Sequence, residues 1–236
     1  MKKFSKLIPA FCMLLISAML MGTSTFAWFS MNTQVKATGM QIQAKSNETY
    51  LLIGTDNNVE TIQTAKLTSA NAGMGAATLL YPSRVKGNAA GLTDANLKFE
   101  YTSAKDASAS AADTNATYTE VETDKFDNYV VKKTFYVTIQ KGAAVAKNLK
   151  VKSVTFKDLA NTGVACVITS ESATGVINAT SDINTVQTLV LANEVTDATV
   201  VAVNVYLYIN GEHTDIYTNN INNLKAGSVE IEFQVD

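Results

Sequence analysis

His213 is the only histidine in the chain. A catalytic or structural zinc site built from several imidazoles is therefore excluded, and no HExxH or Cys/His spacing occurs. A Ser-His-Asp set cannot be argued from spacing. There is no GxSxG elbow, and Gly73-Met74-Gly75 runs into Ala-Ala-Thr without the further glycine or lysine of a phosphate-binding loop. Glu212-His213-Thr214-Asp215 gathers oxygen ligands behind Asn210-Gly211, but this pattern reads as a solvated hairpin tip. Asp56-Asn57-Asn58 resembles a fragment of a calcium loop without its spaced acids and terminal glutamate, and reads as a turn. Carboxylates for glycosidic work come from distant strands, and nothing singles out a pair. Cys166 lies in the apolar run Val164-Ala165-Cys166-Val167-Ile168 and reads as a buried small hydrophobe. No catalytic residue, metal ligand or cofactor is assigned, and the chain reads as a non-enzyme.

The elements that would hold any site are strands. Tyr129–Ile139 alternates with period two, with Val131, Lys133, Phe135, Val137 and Ile139 on one face. After a turn containing Gly142, Leu149, Val151, Ser153 and Thr155 alternate with Lys150, Lys152, Val154 and Phe156. Val200–Ile209 is β-branched and aromatic throughout, which predicts a central strand buried on both sides. Asn210-Gly211 then predicts a tight hairpin with positive φ at both residues and a return strand over His213–Tyr217. In the last strand, Val229, Ile231, Phe233 and Val235 oppose a solvated face of Glu230, Glu232 and Gln234. Val35 and Ala37 alternate up to Gly39, after which Met40, Ile42 and Ala44 take the opposite phase, so a bulge or kink is expected at the glycine. Tyr50–Ile53 is a further short strand, and the best helical spacing is Ser181–Leu191. Ser103–Thr117 is low-complexity Ser, Ala, Asp and Thr and reads as an exposed, flexible loop. The expected fold is all-β, an antiparallel β-sandwich with short helical insertions.

The N-terminus carries an export pattern. Met1–Lys6 is basic, Leu7–Gly22 is apolar and uncharged, and Thr25-Phe26-Ala27 offers small residues for cleavage between Ala27 and Trp28. The expected organisation is a signal peptide over 1–27 and a single sandwich domain over 28–236. A retained membrane anchor is the rival, but the apolar run is shorter than the ~20 residues a spanning helix needs. The formal net charge is −2, and removing the three leader lysines lowers it to −5. No basic cluster exists, so nucleic acid is not expected as a partner.

Thr25-Phe26-Ala27-Trp28-Phe29-Ser30, followed by Ala37-Thr38-Gly39-Met40-Gln41-Ile42, resembles the start of TasA/camelysin-type secreted proteins. That family has an A-(W/Y/A)-F-(S/T/N) step at its cleavage site and an A-x-G-(T/M)-(L/I) segment beyond it. Val203–Tyr208 with Asn210-Gly211-Glu212 and Tyr217-Thr218-Asn219-Asn220 resembles the late part of such relatives, while the middle of the chain is unmatched. The resemblance implies a jelly-roll sandwich, export by a dedicated signal peptidase, and assembly into matrix or surface fibres. It also implies a donor-strand arm over 28–38, by which one subunit completes the sheet of the next. Phe29, Met31, Thr33, Val35 and Ala37 would share one face of such an arm. An edge strand packed on its own domain remains open as the other reading of the same residues. Members of the camelysin branch have been called metalloproteases, a label that one histidine does not support.

The expected function is a structural subunit of an extracellular fibre or biofilm matrix. Its expected location is the matrix or the cell surface. Its partners would be other copies of itself, head to tail, with other matrix or cell-wall components. The alternative is a monomeric adhesin or carbohydrate-binding sandwich, and a secreted metal-dependent hydrolase ranks third.

Overall fold

Period-two patterning puts one set of side chains on each face of a strand, and two such faces must meet to leave water. The computed structural model describes residues 35–37, 41–46, 50–73, 78–87, 91–101, 118–157, 163–180, 189–213 and 228–236. It shows a mostly β chain whose two five-stranded sheets pack face to face. Sheet I runs in the order β13 (Val190–Val195), β10 (Ala146–Lys157), β15 (Ser228–Gln234), β2 (Gln41–Ser46) and β4 (Ser69–Gly73). Sheet II runs β12 (Ile177–Thr180), β11 (Val164–Ser170), β14 (Val201–Ile209), β9 (Val130–Ile139) and β3 (Leu51–Gly54). Ile42, Leu149, Ile231 and Phe233 from sheet I meet Ile53, Phe135, Cys166 and Val205 from sheet II in one buried cluster. All pairings within the two sheets are antiparallel except β15 with β2, which run parallel from Ser228↔Gln41 to Phe233↔Ser46.

A third layer covers part of the outer face of sheet II. It consists of β6 (Arg84–Val85), β7 (Phe99–Tyr101), β8 (Thr119–Glu120) and a 3₁₀ helix over Thr123–Asn128. Leu92, Phe99 and Val121 from this layer join Ala165, Val167, Tyr206 and Tyr208 in a second apolar cluster. Burial of β14 on both sides thus has two causes. Val203, Val205 and Leu207 face the sandwich, while Tyr206 and Tyr208 face the added layer.

Three sequence expectations need correction. The regular alternation from Leu149 to Thr155 fails because the β10–β15 register shifts between Val151 and Ser153. The inward positions are Leu149 and Val151, then Val154 with Phe156 packed partly behind it. Asn210-Gly211 does not form the positive-φ turn, since neither residue has positive φ. Asn210 instead bridges Ser83, and the Gly211 amide donates to the Ser83 carbonyl at 2.9 Å. The approach is close at Gly211, where a Cβ would lie 3.3 Å from Pro82 Cβ. Finally, Val190 and Leu191 belong to β13 and not to a helix. The rest of that expected helix (181–188) and the loop 103–117 lie outside the described residues.

The α-helix that does form, α1 (Val59–Ala65), begins where a turn is expected. Asn58 is its N-cap and accepts from the Thr61 amide at 3.1 Å. Ile62 is buried against β3 at Gly54, where a Cβ would meet Ile62 Cγ1 at 2.6 Å.

Candidate assembly site

The N-terminal elements are positioned by one interrupted ladder. β1 (Val35–Ala37) pairs antiparallel with β5 (Thr78–Leu80), and β2 pairs antiparallel with β4. The two ladders are offset by one residue, since 38–40 lie between β1 and β2 and 74–77 between β4 and β5. Gly39, where the sequence changes phase, lies outside the described residues. β2 is held on both sides, by β15 and β4, over six and five residue pairs respectively, whereas β1 has three.

The β1–β5 ladder is described as far as Val35↔Leu80. Val35 pairs with Leu80, so the arm before Val35 would next meet Tyr81, Pro82 and Ser83. The Tyr81 amide already donates to the Asn128 carbonyl at 2.8 Å, and Pro82 has no amide hydrogen. The Ser83 amide donates to the Ile209 carbonyl at 2.8 Å, and the Ser83 carbonyl accepts from Gly211. Three backbone groups of this stretch, the Tyr81 and Ser83 amides and the Ser83 carbonyl, are thus committed to the third layer and to the end of β14. Of the residues singled out for processing and strand donation, Val35 and Ala37 are placed opposite Leu80 and Thr78 of their own chain. Ala27, Trp28, Phe29 and Met31 lie outside the described residues.

The polar residues that attracted attention in the sequence fasten the third layer. Arg84 Nε donates to Glu100 Oε1 at 2.6 Å, Arg84 Nη1 pairs with Glu212 Oε1 at 2.6 Å, and the guanidinium carbon sits 3.1 Å from the Tyr118 ring centroid. Desolvation pulls the guanidinium pKa down, but the hydrogen bonds to Glu212 and Glu100 outweigh it and leave it above its ordinary value. Glu212 thus acts as an anchor for Arg84, and the His213 amide closes a turn on the Asn210 carbonyl. Sequence reasoning missed Asp94, which accepts from Asn204 Nδ2 at 3.0 Å and from the Tyr206 hydroxyl at 3.2 Å. Thr134 Oγ1 donates to Asn204 Oδ1 at 2.8 Å and completes that set. One signal could have found it: Asn204 is the lone amide in an apolar strand buried on both sides, and a buried amide needs a partner.

Tyr101 and Tyr129 stack with ring centroids 4.8 Å apart, so each presents a face to the other. Burial, with the neighbouring Tyr101, pushes the Tyr129 phenol up to about 12. Burial likewise pushes the Cys166 thiol up to about 12, which leaves it protonated and unreactive at neutral pH. Among the described residues no three His, Cys, Asp or Glu side chains converge as metal ligands, and no helix is long and apolar enough to cross a membrane. What the N-terminal region offers is backbone geometry: a short terminal ladder, a committed extension beyond it, and open sheet edges. Comparison with protein-family models, with characterised proteins and with solved structures finds no match.

Proposed function

We propose that this protein is a structural subunit of an extracellular fibre or biofilm matrix, assembled by donation of its N-terminal strand to a neighbouring copy. The carrying observation is the backbone beyond Leu80, where the Tyr81 and Ser83 amides and the Ser83 carbonyl are already bonded to Asn128, Ile209 and Gly211 and Pro82 has no amide hydrogen. An arm that joins another sheet gains main-chain hydrogen bonds and a register there. Such a contact is head to tail and does not close on itself, so repeated copies make a filament. The leader-like segment and the resemblance of the Ala27–Ile42 region to TasA/camelysin-type proteins support the same reading, with a dedicated signal peptidase exposing the arm at Trp28. The β-sandwich body supports a holding role over turnover.

The test is direct. The chain from Trp28 onward is expected to form filaments visible by negative-stain electron microscopy, and deletion of 28–37 is expected to leave monomers. Monomers from both at high concentration would overturn the proposal.

A further inference from the structure

The two sheets have four lateral edges, and these are not equally guarded. At β3 the Ile53 amide donates to the Leu67 carbonyl at 2.9 Å, so the segment after α1 already lies along that edge. At β13 the Leu191 carbonyl accepts from the Ser170 hydroxyl, and Glu194 pairs with Lys147. β12 has four residues, with Ile177 and Ala179 buried in the sandwich core. Among the described residues the outer sides of β4, β12 and β13 pair with no backbone group. β4 differs in composition. Its sequence, Ser69-Ala70-Asn71-Ala72-Gly73, contains no charge, no proline and no β-branched residue. Edges that must stay single are usually guarded by lysine, proline or a bulge, and β4 has none of these on its outer side.

Side-chain size also singles out β4. Its core-facing positions are Ala70 and Ala72, while Ser69, Asn71 and Gly73 are exposed. Two alanines leave the core shallow at this edge. Leu67, one of only two large hydrophobic residues exposed among the described residues, lies 52% exposed just before the strand. An added strand with large apolar side chains on its inward face would deepen the core and cover apolar surface. Residues 28–34 carry that pattern: Phe29 and Met31 alternate with Ser30 and Asn32. Seven extended residues span about 23 Å, more than the roughly 17 Å of β4.

We infer that the outer edge of β4 accepts residues 28–34 of a second copy as an added strand, with Phe29 and Met31 on the same face as Ala70 and Ala72. This rests on the strand-donation reading above and names its acceptor. In the intact chain from Trp28 onward, a cysteine replaces Ser30 or Asn32 in one batch, and in a second batch it replaces Asn71, Ser69 or, on β12, Asn178. Cys166 is buried and does not interfere. The batches are mixed under mild oxidation and resolved without reductant. Disulfide-linked dimers are expected at 71 or 69 and not at 178, and Asn71→Lys is expected to abolish sedimentable polymer while the melting temperature stays near that of the parent. Dimers at 178 alone, or polymer unaffected by Asn71→Lys, would overturn the β4 assignment and leave strand donation standing. No dimers at any position, with an intact chain that stays monomeric, would overturn both.

Discussion

The two outer faces of the sandwich begin from the same alternation and end in opposite states. On sheet I the outward residues are charged. Glu230 pairs with Lys45 at 2.6 Å and Lys157 at 2.7 Å, and Glu232 pairs with Lys152 at 3.0 Å. On sheet II the outward residues include Tyr206, Tyr208, Ala165 and Val167, and the third layer lies over them. A strand whose outward positions carry lysine and glutamate can end in water, while one whose outward positions carry tyrosine and valine requires cover. The third layer is thus a consequence of what β11 and β14 present outward. It is held by an apolar patch and a few polar fasteners, where sheet I needs only ion pairs.

Five measurements would break or sharpen this comparison. Phe135→Ala, in the core between the sheets, is expected to cost about 3–5 kcal/mol by denaturant unfolding. Phe99→Ala, in the second cluster, is expected to cost nearly as much if the layers unfold together. If it instead raises amide exchange in β6–β8 and leaves sheet I protected, the third layer is a separate cooperative unit. Asp94→Ala strips the acceptor from Asn204 and Tyr206 and is expected to cost about 1–3 kcal/mol, with Tyr206→Phe costing less. A loss confined to within error would show that water replaces the carboxylate.

The ion pairs of sheet I come last. Glu232→Gln is expected to cost at most about 1 kcal/mol and to matter less as salt rises. The Glu230 carboxyl is held below the usual carboxylate range by hydrogen bonds from Lys157 and Lys45. A carboxylate depressed in the folded state adds stability above its unfolded pKa and loses it as pH falls through the folded value. The difference in melting temperature between the parent and Glu230→Gln is therefore expected at neutral pH and to vanish in acid. A difference that persists in acid would assign the effect to packing.

Much of the fold could be read from the residues, for physical reasons. Val229, Ile231 and Phe233 face the core as their alternation requires, and β14 is central as its β-branched and aromatic run requires. The acidic face of β15 was legible as outward, but its partners were not. Lys45 and Lys157 lie 185 and 73 residues from Glu230, and no local pattern records such a meeting. Asn210-Gly211 misled for the same reason. Its local preference for a positive-φ turn gives way to a bridge with Ser83, more than a hundred residues away. The short helix α1 was missed because Asn58 was read as a turn residue, although the same side chain serves as an N-cap. Of the candidate assembly site, the strand pattern of Val35–Ala37 was legible. The bonding of Tyr81 to Asn128 and of Ser83 to Ile209 joins distant segments and was not.

The parallel pairing of β2 with β15 also governs when the body can form. During synthesis β2 emerges early, yet one of its two neighbours, β15, lies about 180 residues further on. Until Ser228–Gln234 appears, sheet I has a gap at its centre, and the β2–β4 pair alone is marginal. Closing so long a loop is slow. The sandwich is therefore complete only when Gln41–Ser46 and Ser228–Gln234 are both available, and an unfinished chain leaves β2 with an open side.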